Sequence, residues 1–226
     1  VRALSPSTMA QFEQARVQYR LGYLDTIGDP ADDGPFRLFF AGRLEADKGI
    51  FELLEIARQL EREAPGQFAW ELAGAGGARD ALAREIQYAN LDDRFRLVGK
   101  LDRHGMRDAY ERCHAVVVPT NRDFAEGLNR VSVEGVLAGR PVITSRLSNA
   151  LDVLGGAVVE VPPENVSAYG DAVLALAADR PKYEERRARC AEVSDQFYDR
   201  NRAWGAGLDR ALARVYGNEP QLVLPA

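Results

Sequence analysis

Cysteine, histidine and lysine are all scarce in this sequence of 226 residues. Cys113 and Cys190, and likewise His104 and His114, form no metal-binding or dithiol spacing, which argues against a zinc module or a disulfide scaffold. A reducing, cytoplasmic compartment fits that usage. No apolar run approaches the ~20 residues of a membrane span, and the opening residues show no charged-then-apolar leader. No Asp-x-Asp pattern occurs, so the common acidic pair for a divalent cation is missing. Net charge is −5, which leaves no general basic surface for nucleic acid or an anionic membrane. Any anion site must be local. Only three of the 29 basic residues are lysines, Lys48, Lys100 and Lys182, and we read the arginine excess as a codon-composition habit.

What is present is a regular alternation. Residues 1–35 differ from the rest: a helical spacing over 5–24, then Gly, Pro and Asp gathered over 25–35 as a linker. From Phe36 the spacing predicts strand 36–42, apolar nearly throughout as a strand covered on both faces would be. A helix follows with its apolar stripe at 50, 53, 54, 57 and 60. Strands are expected next at 68–74, 94–99, 115–120, 141–145 and 157–161. The helices between them are expected at 78–89, 103–113 and from about 128 to 137. Helices at 163–179, 181–195 and 200–216 close the domain, and 217–226 is a tail. Strands alternating with helices of this length predict an α/β fold with a doubly wound, mostly parallel sheet. Such sheets bind ligands beyond the carboxyl ends of their strands. Residues 41–49, 73–78, 99–101 and 119–130 all fall at that edge.

At the first of these, Gly42 lets the backbone turn, Arg43 offers a planar fork of donors and Lys48 a point charge. A lysine at a helix start opposes the macrodipole, a small cost that an adjacent anion would offset. Gly74 and Gly76 partly fit the dinucleotide fingerprint G-x-G-x-x-G, but Arg79 stands at the third glycine, so a plain strand-to-helix turn is the simpler reading. Gly99, in Leu-Val-Gly-Lys-Leu, ends a strand. The run from Glu126 to Glu134 holds more. Its helix should start at Leu128 or Asn129, turning the free amides of its first turn toward the ligand edge, where amides and dipole favour a phosphate. Glu126 and Glu134 are carboxylates that could accept from the paired hydroxyls of a sugar or ribose. The plainer alternatives are a capping acid for Glu126 and a solvated helix residue for Glu134.

Taken in order, Gly42-Arg43-Leu44, Lys48-Gly49, Glu126-Gly127-Leu128-Asn129, Glu134 and Gly139-Arg140-Pro141-Val142 resemble the carboxyl-terminal half of GT-B glycosyltransferases, closest to family 4. Order and spacing fit from Phe36 to Tyr216. The resemblance implies a Rossmann-like donor-binding domain over 36–216 and a hexosyltransferase-type activity, retaining and metal-independent, with a nucleoside-diphosphate sugar as donor and no cofactor. It gives catalytic roles to Glu126, Arg43 and Lys48. Arg43 and Lys48 would bind the diphosphate, Glu126 the donor-sugar hydroxyls and Glu134 the ribose. Gly99, Lys100 and Leu101 would lie by the base, and Gly42, Gly74, Gly127, Leu128, Asn129, Arg130 and Val131 would complete the donor site. Asn129 stands where the family often has a second glycine, and Gly135 where alanine is frequent.

Family members use two Rossmann-like domains, the amino-terminal one for the acceptor. Only 35 residues precede the donor sheet here, so the expectation is a donor half with its inter-domain linker, inactive alone, and any peripheral membrane contact falls to the missing half. Two other classes stay open: a non-catalytic sugar-nucleotide-binding or interaction domain, and a nicotinamide-dependent oxidoreductase, which would need the turn at 74–78 to hold pyrophosphate.

Overall fold

The structure, a computed structural model, describes residues 24, 27–31, 34–124 and 126–216. The helical stretch expected over 5–24, Leu24 apart, and the tail at 217–226 lie outside the described residues. The chain divides into two compact units, residues 23–193 and, among the described residues, 194–216. The second carries two single-turn 3-10 helices, Asp195–Phe197 and Arg200–Arg202, and one amphipathic helix, Trp204–Tyr216.

The larger unit is built on one sheet of β1 (Phe36–Ala41), β2 (Phe68–Ala73), β3 (Phe95–Gly99), β4 (Ala115–Val118), β5 (Val142–Ser145) and β6 (Val158–Val161). The order is β3-β2-β1-β4-β5-β6 and every pairing is parallel. The expected doubly wound α/β architecture therefore holds. Its connections reverse direction between β1 and β4, which opens a crevice at their carboxyl ends.

Helices cover both faces. On one side α1 (Ile50–Glu63), α2 (Arg79–Tyr88) and α6 (Val166–Ala178) bury Leu38, Phe40, Leu72, Val117 and Ile143 of the strands. The α1 stripe read from the sequence is buried, and so are Ile56 and Gln59 beside it, because α1 also packs on α6. There Gln59 donates to Asp171 at 3.1 Å. On the other side lie α3 (Arg103–Arg112) and α4 (Arg130–Leu137), with Tyr110 of α3 edge-on to Phe39 of β1 at 5.3 Å between centroids. The two faces explain why β1 is apolar nearly throughout. Among the described residues no helix is long and apolar enough to cross a membrane.

The differences from the sequence reading are local. A short helix α5 (Ala150–Leu154) fills a stretch that the reading had passed over; five residues are too few for a periodic signal. The helices expected at 163–179 and 181–195 run Val166–Ala178 and Arg180–Ser194 (α7). Asn165 caps the former by accepting from the Ala168 amide at 3.0 Å, and Asp179 accepts from the Lys182 amide of the latter at 3.1 Å. The last helix begins at Trp204 rather than at residue 200, after the 3-10 turn Arg200–Arg202.

Three residues buried in this frame have measurable consequences. A Cβ on Gly135 would lie 2.8 Å from Val116 Cγ2 of β4 and 3.5 Å from Val142 Cγ2 of β5, so the missing side chain is what seats α4 on the sheet. The ~1 kcal/mol that alanine would gain in helix propensity is outweighed by an overpacking cost of about 1–3 kcal/mol. Gly135→Ala is expected to lower the urea midpoint; an equal or higher midpoint would remove this account. Cys113 and Cys190 are both buried, and burial pushes each thiol up to about 12. Neither should react with a thiol reagent at pH 8 in the folded chain, and both should do so at once in denaturant; rapid modification of either native thiol would contradict its burial.

Candidate functional site

The crevice between β1 and β4 is assembled by close backbone contacts. A Cβ on Gly49, whose φ is +73°, would lie 2.1 Å from the Pro119 carbonyl oxygen, so glycine alone lets the start of α1 touch the exit of β4. That exit is held from behind, since Thr144 and Tyr169 both donate hydroxyl protons to the Val118 carbonyl, at 2.8 and 3.1 Å. Burial pushes the Tyr169 phenol up to about 12, which keeps it a donor throughout the neutral range.

Lys48, last residue of a 3-10 turn (Ala46–Lys48), meets Glu126 here at 2.7 Å. The two side chains are only 13% and 10% exposed. The same Glu126 oxygen accepts from the Thr120 hydroxyl at 2.9 Å. The Lys48 ammonium also lies 3.3 Å from the centroid of the Phe124 ring, and the Arg43 guanidinium 5.3 Å from it. Arg43 pairs with Asp47 at 3.0 Å. The structure brings together Arg43, Lys48 and Glu126, three of the residues assigned to the donor, and adds Thr120 and Phe124, which the sequence reading had placed at the ligand edge without a role. No spacing rule marks these two: Thr120 acts on Glu126 six residues on in the same loop, and the partners of Phe124 lie beyond the end of β1.

Glu126 is not the helix cap. Asn129 is, accepting from the Ser132 amide at 2.9 Å while its side-chain amide donates to Ser148 at 3.2 Å. Ser148 in turn faces the Gly127 carbonyl at 3.5 Å. Nor is Glu134 solvated. Its side chain is 5% exposed, with one oxygen on Arg130 at 2.8 Å and the other accepting from Tyr110 of α3 at 3.2 Å. The two glutamates thus anchor two separate ion pairs on either side of the α4 start.

The glycine turn after β2 has a structural use. A Cβ on Gly74 (φ +142°) would lie 1.8 Å from the Gly42 carbonyl oxygen, and one on Gly76 2.2 Å from that of Leu44. The Gly77 amide donates to Glu45 at 2.6 Å and that of Ala78 to the Leu44 carbonyl at 3.1 Å. Amides that a pyrophosphate would need are spent on the neighbouring loop, which weighs against the nicotinamide reading. Gly99 (φ +74°) closes the same edge by accepting from the Gly74 amide at 2.7 Å, with Lys100 exposed beside it. Among the described residues no group of three or more His, Cys, Asp or Glu is gathered where a metal could sit. A cleft of about 450 Å³, lined by Phe36, Phe68, His114, Arg180 and Tyr183 among others, opens at the amino-terminal ends of the strands and takes no part in this cluster.

The family model described as Glycosyl transferases group 1 matches residues 28–196. The chain belongs to this family. It is similar to a glycogen synthase of Mycobacterium tuberculosis, at 30% identity over 160 residues that make up 70% of this chain and 37% of that protein. The fold is shared with the Anabaena HepE protein, solved in complex with UDP and glucose, at a TM-score of 0.67 and 19% identity over 95% of this chain and 53% of that one. It is shared too with the carboxyl-terminal domain of a group 1 family protein, LpcC, from Francisella tularensis, at a TM-score of 0.64 and 18% identity over 83% and 97% of the two chains. The chain thus spans little more than a third of the length of the glycogen synthase relative.

Within this group 1 domain the Thr120 hydroxyl is the group that fixes Glu126 against Lys48. Thr120→Val preserves shape and deletes the bond to a nearly buried carboxylate, which should cost about 1.5–3 kcal/mol. Thr120→Ser should lose much less. An unchanged urea midpoint in Thr120→Val would show that this bond contributes nothing.

Proposed function

We propose that the chain binds a nucleoside-diphosphate sugar at the β1/β4 crevice and serves as the donor half of a glycosyltransferase. The observation that carries this reading is the meeting of Lys48 and Glu126, 78 residues apart in sequence, at the one edge of the sheet where its topology opens a crevice. A cation for phosphate stands there beside a carboxylate for hydroxyl groups. The UDP and glucose held by the HepE neighbour support the same class of ligand.

In this reading Arg43 and Lys48 take the diphosphate, aided by the amino end of α4. As the bond from sugar to phosphate breaks, the leaving nucleoside diphosphate gains negative charge, and these fixed groups stabilise it without reorganising. We therefore assign no metal to the reaction. Glu126 accepts from the sugar hydroxyls and holds the ring in the reacting geometry. Glu134 accepts from the ribose, which requires the exposed Arg130 to give up its place on that carboxylate. Gly99, Lys100 and Leu101 offer their backbone to the base. The acceptor falls to a second domain, in line with the greater length of the relatives, and retention of anomeric configuration follows the family resemblance.

Calorimetry on the chain tests the assignment, with UDP, GDP and ADP and their glucose conjugates as ligands. Arg43→Ala and Lys48→Ala should each weaken the nucleoside diphosphate about tenfold, or ~1.4 kcal/mol, and EDTA should change nothing. Strict dependence on magnesium or manganese would overturn the metal-free reading. Glu134→Ala should weaken nucleoside diphosphate and sugar nucleotide by similar factors, whereas Glu126→Ala should weaken the sugar nucleotide more. Equal losses for both ligands in Glu126→Ala would remove that residue from the sugar.

A further inference from the structure

The Lys48 ammonium has three N–H donors and little room to use them. An oxygen of Glu126 lies 2.7 Å from the nitrogen. The centroid of the Phe124 ring lies 3.3 Å from it. A phosphate oxygen bonded to an ammonium sits at about 2.7–2.9 Å, inside the distance that the ring already occupies. Phosphate and ring cannot share that side of Lys48.

The two covers differ in how firmly they are held. Glu126 is bound at two points, by Lys48 and by the Thr120 hydroxyl, and its side chain is 10% exposed. Phe124 is partly exposed; two cations face its ring, and its amide donates to the Asn121 carbonyl over a long 3.3 Å. A cation–π contact near the surface is weaker than a charge-assisted hydrogen bond, so a phosphate displaces the ring before it displaces the carboxylate. The ring can also return to the same place. Asn121, three residues earlier, is tied to the turn that carries Lys48, through its side-chain amide to the Ala46 carbonyl at 3.0 Å and its backbone amide to Asp47 at 3.4 Å.

We infer that Phe124 is a lid on one side of Lys48, which a phosphate-bearing ligand must lift to reach that side of the ammonium while Glu126 stays in place. The ligand's part in this rests on the donor-site reading; the cover over Lys48 does not. The ring acts through the lysine and is a positioning residue, one that admits phosphate and keeps weaker-binding anions off the lysine.

With lysine at only three positions, the test is clean. Lys48, Lys100 and Lys182 are acetylated with a limiting acyl ester, and their rates are read by peptide mass spectrometry, the exposed Lys182, outside the proposed donor site, serving as the internal reference. Wild-type Lys48 should be the slowest of the three. In Phe124→Ala its rate relative to Lys182 should rise at least fivefold, in Phe124→Leu by less, and in Phe124→Trp not at all. An unchanged ratio in Phe124→Ala, with the circular dichroism of wild type, overturns the lid; should that variant misfold, Phe124→Leu decides on the same criterion. UDP is then added to each. If Lys48 speeds up in Phe124→Ala and UDP slows it again, the whole proposal holds. If it speeds up and UDP gives no protection, the cover stands and the donor site falls. If UDP protects Lys48 while the ring makes no difference, the donor site stands and the lid falls.

Discussion

The contact between Gly49 and the Pro119 carbonyl is the constraint on which this site depends. It is a backbone contact with no room for a side chain, and it joins the first turn after β1 to the exit of β4. Without it Lys48 would stand at a helix start with nothing opposite. With it, the lysine reaches a carboxylate on a distant segment, and the unfavourable position of a cation on the α1 dipole is offset locally. The Thr144 and Tyr169 hydroxyls extend the same constraint one layer inward, because the Val118 carbonyl they hold fixes where Pro119 can lie.

The charges at the crevice neutralise one another. Lys48 is met by Glu126, Arg43 by Asp47, and Arg130 by Glu134. A ligand arriving here competes with contacts already made, so its affinity reflects a difference between old and new partners rather than the filling of a vacancy. Truncating one member of a nearly buried pair leaves the other uncompensated, a cost that falls on folding as well as on binding. Stability must therefore be read beside affinity at Lys48 and Glu126, whereas the more exposed Arg43 reports on binding with less interference.

Much of this was legible in the sequence. The α1 stripe, the apolar strands and the punctuation at Gly139 and Pro141 carry the layer order, because period and turn chemistry are local properties. The family pattern assigned Lys48 to the diphosphate and Glu126 to the sugar, but their ion pair was not expected, since no local rule links residues 78 positions apart. Glu134 shows the limit most clearly. Eight residues after Glu126 it reads as a solvated helix position, yet Tyr110 and Arg130 enclose it, and Tyr110 comes from a helix that only the sheet order places alongside. Gly135 looks like a weak helix residue until the valines of β4 and β5 are seen beneath it. Thr120 and Phe124 fell within the stretch read as ligand edge, but nothing in the sequence gave either a role, since what each touches is set by how the loop after β4 folds against the end of β1.

The scarcity of lysine also reads differently on the structure. Arginine here often works as a clamp on backbone carbonyls. Fully buried Arg140 donates to the carbonyls of Tyr110 and Gly28, Arg37 to those of Arg112 and Ala31, and Arg186 to that of Gly156. A planar fork can bind two carbonyls in fixed directions, and a flexible ammonium cannot hold them that way. Genomic base composition can drift toward lysine codons, and such drift would pass unnoticed at a solvated pair like Arg58 with Glu55. At Arg140 it would cut a joint between three segments of chain. At such joints the guanidinium is a structural part, and a lysine there would leave at least one of the carbonyls it holds without a donor.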